Sequence, residues 1–346
     1  MRRRQRAVPA ILAAALALVL MAGPVAACGG LIGPNGAVNL LRTTTFVGYH
    51  AGVEHYVTAF AFAGGGGRFG SITPLPGVPS TVERGGDWTL QRLVRETQPV
   101  FEASDALLAK PAAAGAEVLL QTRIDALDIT VLKGGGDDVG AWAKAHGFRL
   151  PPDAPEVLDF YAERSPIFLA ASFDADAAAA RGQSIGDGTP IHITIPTPNP
   201  WVPIRILSLG KAAAERVEAD VYLLTDARPA ILPAPTGRGM TLAHAAPASD
   251  ALLTDLRSDA GMDWVPAGGW LTQIRLDASP GELGYDLAID ASGQGTPSRV
   301  AAGLIRPGTA GGGPLIPAGP FLALIGVYLA TAALVVVRLG RRRVAA

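Results

Sequence analysis

Between residues 43 and 292 apolar and polar positions alternate in short runs punctuated by Gly and Pro. Residues 55–62, His-Tyr-Val-Thr-Ala-Phe-Ala-Phe, set Tyr56, Thr58, Phe60 and Phe62 against Val57, Ala59 and Ala61. Period two predicts a strand with its bulky side chains on one sheet face. With residues 43–50 it reads as an antiparallel hairpin across the turn at 51–54, continuing through Gly64–Gly67 into a third strand. Pro74 and Pro76 cannot donate to a ladder, so that strand ends there or becomes an edge. Further strands are predicted at 116–125, 127–135, 165–174, 189–197, 201–209, 217–226, 270–277 and 284–292. Helical spacing falls at 87–99, where Asp87 is placed as the cap, at 137–147 with Asp137 or Asp138 as the cap, and at 152–165 and 249–259. Strands and helices in irregular succession predict an α+β fold, mostly antiparallel sheet with several short helices.

The ends break this pattern. Arg2, Arg3, Arg4 and Arg6 precede an apolar run ending near Ala22, then a Gly23-Pro24 break and small residues, the three-part grammar of a secretory signal over residues 1–27. At the other end, residues 315–337 carry no charge. At about 1.5 Å per residue they reach about 34 Å, enough for a hydrocarbon core of about 30 Å. One C-terminal transmembrane helix, residues 315–338, is therefore expected. Arg338, Arg341, Arg342 and Arg343 follow at once and, by the preference of basic flanks for the cytoplasm, set its topology: body outside, tail (339–346) inside.

That topology sorts the charge. Eight of the 29 basic residues lie in the leader and tail, leaving 21 in the body against 30 acidic ones, net −9. Such a body repels polyphosphate, so nucleic acid is not an expected partner. Cys28 is the one cysteine, which excludes an intrachain disulfide. In Val25-Ala26-Ala27-Cys28 it is either the lipid-attachment residue of a lipoprotein signal or the residue left after an ordinary signal cleavage.

Few motifs carry chemistry. Residues 182–186, Gly-Gln-Ser-Ile-Gly, match the nucleophile elbow with Ser184 as nucleophile, but that motif needs a strand before it and a helix after it, and here the order is inverted. His192 and His244 are the available bases. Ser208 and Lys211 form a Ser-x-x-Lys without its partner motifs. His50, Glu54 and His55 lie within six residues; His50 and His55 are a weak candidate metal pair, because five residues across a glycine turn is not the i, i+4 spacing of a zinc helix. Asp174 and Asp176, and Asp137-Asp138, lack the regular spacing of a calcium loop. No motif calls for a cofactor.

Short motifs in a fixed order remain: Ala27-Cys28-Gly29-Gly30 after the leader, Phe69 and Pro74-Leu75-Pro76, Thr97-Gln98-Pro99, Trp142, Tyr161 before Ile-Phe-Leu-Ala-Ala-Ser-Phe, and Trp201-Val202-Pro203-Ile204-Arg205. In these the chain resembles an exported bacterial family, domain of unknown function 2330, over roughly residues 28–232. The resemblance implies an envelope protein and supplies no catalytic residues. The chain lacks the second cysteine that family often carries after Ala-Cys-Gly-Gly. The expected organisation is signal peptide 1–27, an extracytoplasmic α+β domain 28–232, a second part or C-terminal extension 233–297 after a linker-like Pro/Gly segment, a flexible stalk 298–314, then the span and tail. The expected role is a membrane-anchored extracytoplasmic binding, scaffolding or structural module, its partners membrane lipid and other envelope proteins. The alternative is an envelope serine hydrolase using Ser184.

Overall fold

Runs of alternating polarity pair into three sheets in a computed structural model that describes residues 30–33, 36–37, 43–61, 69–97, 117–174, 177–178, 180, 188–292 and 295–308. Cys28, Ser184, the stretch 315–337 and Arg338, Arg341, Arg342 and Arg343 lie outside the described residues. Among the described residues no helix is long and apolar enough to cross a membrane.

The largest sheet has seven strands in the order β14 (Met240–Pro247), β15 (Trp270–Ala278), β12 (Val217–Thr225), β3 (Thr43–His50), β4 (Val53–Ala61), β10 (Gly188–Pro196) and β6 (Thr81–Arg84). A six-stranded sheet runs β2 (Gly36–Ala37), β1 (Gly30–Gly33), β5 (Phe69–Pro74), β9 (Ile167–Phe173), β8 (Leu127–Lys133) and β7 (Glu117–Ile124). A small third sheet joins β11 (Trp201–Val202), β16 (Leu287–Asp290) and β13 (Ala230–Leu232). Of the described strand pairings only β3 with β12 is parallel. The fold is α+β with mostly antiparallel sheet. Its described helices are α1 (Thr89–Thr97), α2 (Gly136–Ala145), α3 (Ala154–Ala162) and α4 (Asp250–Ser258).

The period-two pattern of β4 predicts one buried face, but both are covered. Phe46, Val57, Tyr222 and Leu271 on one face of the seven-stranded sheet pack against Leu90 and Leu93 of α1 and Leu252, Leu253 and Leu256 of α4. On the opposite face Val47, Tyr56, Ile193, Val221 and Leu223 join Ile129, Val131 and Leu169 of the six-stranded sheet, with Trp142 of α2 and Leu158 of α3, in a larger core. Each fully buried side chain of this kind contributes about 1.5–3 kcal/mol, so the sheet is held from both sides. The described residues up to Arg306 belong to one compact unit.

Three local expectations are corrected. Residues 201–209 do not form one strand: two residues pair as β11, and Arg205–Ser208 wind into a 3-10 turn. Pro203 interrupts the ladder by removing an N–H. Asp87 does not cap α1. Its side chain pairs with Arg84, while the carboxylate of Asp259 accepts the Asp87 and Trp88 N–H groups, both at 3.0 Å, and the Thr89 hydroxyl at 2.8 Å. The start of the expected stalk is packed rather than free. Asp286 N–H donates to Ala302 O at 3.0 Å, Arg164 Nη1 donates to Ala301 O at 2.5 Å, and Ala302 is fully buried. Small side chains let this backbone approach the core closely, so hydrogen bonds fix it where bulky residues are missing.

Candidate functional site

On the helix-covered side of the seven-stranded sheet, near the β3–β4 turn, strand alternation brings two imidazoles together. His55 lies opposite Gly48 in β3 and Thr194 in β10, and His192 lies opposite Val57. The two histidines are diagonal neighbours on one face, and His55 Nδ1 meets His192 Nε2 at 2.9 Å. The Thr194 hydroxyl is 3.4 Å from the same His192 Nε2.

Trp264 roofs the pair. Its ring lies parallel to His55, centroids 4.0 Å apart and planes 2° apart, and 5.4 Å from His192. It also stacks on Phe46 at 5.8 Å. The stack requires glycine at 48, because a Cβ there would collide with the indole. The loop that delivers Trp264 is fixed at both ends: Asp259 holds the start of α1, Met262 and Val265 are buried, and Arg257 Nη1 donates to Pro266 O at 2.7 Å. The Trp264 Nε1–H is buried without a hydrogen-bond partner.

Burial sets the protonation state of the pair. It pushes His55 down to about 4, helped by the charge of His50, and it pushes His192 down to about 4, helped by His55 and partly offset by Asp263. Both rings are neutral at neutral pH, and a base this weak accepts little proton there.

The pair read from the sequence, His50 with His55, falls on one sheet face, but each ring bonds another partner, His55 with His192. His50 instead bonds Asp226, Nδ1 to Oδ1 at 2.6 Å, both side chains about half exposed (51% and 54%). His244 sits in β14, four strands from β4 in the sheet order. Ser208 Oγ donates to Arg205 O at 2.7 Å and Lys211 pairs with Glu215 at 3.4 Å, so the Ser-x-x-Lys spacing builds no dyad. Asp138 accepts the Gly135 N–H at 2.8 Å, and Asp174 accepts the Ala177 N–H at 3.0 Å; both are local caps. Trp264 is the member of the cluster that sequence reasoning misses. The one signal it left is a tryptophan in a Gly- and Asp-rich loop, where a core residue is not expected.

Two buried carboxyl groups use their bonds structurally. Asp286 Oδ1 accepts the Tyr161 hydroxyl at 2.8 Å and the backbone N–H groups of Ile204 at 2.7 Å and Arg205 at 3.0 Å, while Oδ2 pairs with Arg164 at 2.5 Å. Tyr161 in turn accepts the Ile206 N–H at 2.8 Å. Burial, and then the charge of Asp286, raise Tyr161 well above the usual phenol range, keeping it a donor. The Arg164 guanidinium lies 4.1 Å from the Phe160 ring centre and 5.0 Å from that of Trp201. Glu54 is fully buried, accepts the Trp201 N–H at 3.2 Å and leaves Oε1 without a partner. Burial pushes it up to about 8, and the Trp201 bond pulls back only in part. Opposite Glu54 in the ladder, Tyr49 borders a shallow cavity of about 280 Å³ with Asn199, Pro200 and Asp290.

These features define a mostly antiparallel α+β protein in which Tyr161 and the segment Trp201–Arg205 meet at a single buried aspartate, Asp286. The profile of the family DUF2330, described as an uncharacterized protein conserved in bacteria, matches residues 23–242, and the chain belongs to that family. The match stops inside β14, so Asp259, Trp264 and Asp286 come from sequence beyond it. No curated protein matches the chain significantly. Among solved structures the chain is similar to a mutated baculovirus P35 after caspase cleavage, at 6% identity over 73% of this chain and 98% of that one with a TM-score of 0.37. It is also similar to a chain of the caspase-8/P35 complex, at 7% identity over 72% and 90% with a TM-score of 0.35. Scores this low assign neither a common fold nor an activity.

Proposed function

We propose that this protein is a membrane-anchored extracytoplasmic module of the bacterial envelope that binds or scaffolds other envelope components. The observation that carries the proposal is the arrangement of the ends. A signal-like leader and an uncharged 23-residue stretch backed by four arginines flank a body of net charge −9. The packing supports a module rather than an enzyme. Two buried acids, Asp286 and Asp259, tie distant segments together, and the paired imidazoles of His55 and His192 are too weakly basic to serve as general bases near neutral pH.

The test is a set of fusions within residues 233–297 to a reporter that folds only outside the cytoplasm and to one that works only inside. Activity of the first alone is expected, together with a partner captured by crosslinking in intact membranes. Activity of the cytosolic reporter would remove the basis of the proposal. The alternative, a serine hydrolase using Ser184, rests on the Gly-x-Ser-x-Gly match and predicts labelling by a serine-reactive probe that disappears in Ser184→Ala.

A further inference from the structure

The geometry points to a transition-metal site between His55 and His192, suited to zinc(II) or another borderline-soft first-row ion. Two nitrogen ligands at about 2.0–2.1 Å from a tetrahedral ion stand about 3.3–3.4 Å apart. His55 Nδ1 and His192 Nε2 already stand 2.9 Å apart and share one hydrogen, so an opening of about half an ångström, within reach of a rotamer adjustment, admits the ion.

The surroundings favour that exchange. Two ring nitrogens 2.9 Å apart leave room for a single hydrogen between them, so one of the facing nitrogens already presents the lone pair that a metal ligand needs. The shared proton moves to the other nitrogen of its own ring, both imidazoles remain neutral ligands, and no oxidant or reductant takes part. Asp263 supplies negative potential from the Trp264 loop, and His50 with Asp226 lies toward the rim. The parallel indole of Trp264 and the missing side chain at Gly48 fix the plane of His55, the role that outer contacts serve at metal sites. Among the described residues no three His, Cys, Asp or Glu side chains converge as ligands, so those residues supply two, leaving the other positions to solvent. The site is built from described residues alone and is independent of where the chain resides.

The experiment titrates zinc chloride into the detergent-solubilised full chain, stripped beforehand with chelator, and follows heat and Trp fluorescence. One ion per chain is expected. His55→Gln and His192→Gln should each weaken binding at least about tenfold, His50→Gln should leave it unchanged, and the fluorescence response should vanish in Trp264→Phe while the heat remains. No binding by the wild type overturns the inference. So does equal binding in the His55 and His192 variants, or a loss confined to His50→Gln, which would place the ion at the exposed His50–Asp226 pair. If the glutamine variants misfold by far-UV circular dichroism, the wild type decides alone: zinc must block modification of His55 by diethyl pyrocarbonate, and unblocked modification sinks the site.

Discussion

Arg164 donates to Asp286 across 2.5 Å, and both side chains are almost wholly buried, 4% and 0% exposed. A buried pair is not in itself a stability gain over apolar packing, but breaking one leaves a charge stranded in the core. Asp286 also satisfies two backbone N–H groups and the Tyr161 hydroxyl. Asp286→Ala is therefore expected to cost at least about 3–5 kcal/mol, read as a lower urea midpoint. Asp250→Ala, on an exposed helix position, should stay within about 0.5 kcal/mol of wild type. A small effect at Asp286 would mean that the network does not hold 298–306 to the core.

Gly48 exists to let Trp264 lie on the sheet. Gly48→Ala must push the indole out, at about 1–3 kcal/mol for overpacking, with a red shift of Trp emission as the ring meets water. Gly284→Ala, where a Cβ meets nothing within 4 Å, should change neither property.

The distant cap of α1 separates two aspartates by role. Asp259→Ala removes three bonds to the first turn and is expected to cost about 1–2 kcal/mol, with faster amide exchange at Asp87 and Trp88. Asp87→Ala loses only a partly exposed ion pair with Arg84, and should cost under about 1 kcal/mol. The reverse order of the two effects would restore the local cap that the sequence suggests.

Glu54 makes stability depend on pH with a known sign. Its folded value is pushed up to about 8 from 4.5, so the folded chain keeps a proton that the unfolded chain releases. The stabilising difference is complete below about pH 4.5 and is lost as pH rises through about 8. Glu54→Gln has no proton to lose. Its melting temperature relative to wild type should therefore climb between pH 5 and pH 8, and a gap that stays flat over that range would rule out a buried, protonated Glu54.

Much of the fold is legible in the residues themselves. The hairpin at 43–61, the strands at 167–173, 188–196, 217–225 and 270–278 and the helices at 89–97, 136–145 and 250–258 follow from periodicity and the Gly and Pro that punctuate it. What was not legible is long-range. Asp259 reaches α1 across 170 residues, and Trp264 meets His55 through a glycine whose meaning appears only once the loop covers it. His50 and His55 read as a pair by proximity in the chain and do fall on one sheet face, but His50 bonds Asp226 and His55 bonds His192 in another strand, partners that the local sequence does not reveal. The packing of 298–306 is invisible to hydropathy because alanine and backbone carry it.

The parallel contact of β3 with β12 constrains how the molecule can come into being. Residues 43–50 are made early, yet one side of that strand has no neighbour until residues 217–225 arrive. For most of its elongation the growing polypeptide thus presents a naked ladder of N–H and C=O groups, an invitation to wrong partners. A version cut after residue 216, which leaves that side of β3 without its neighbour, is expected to accumulate as aggregate rather than as a smaller folded protein.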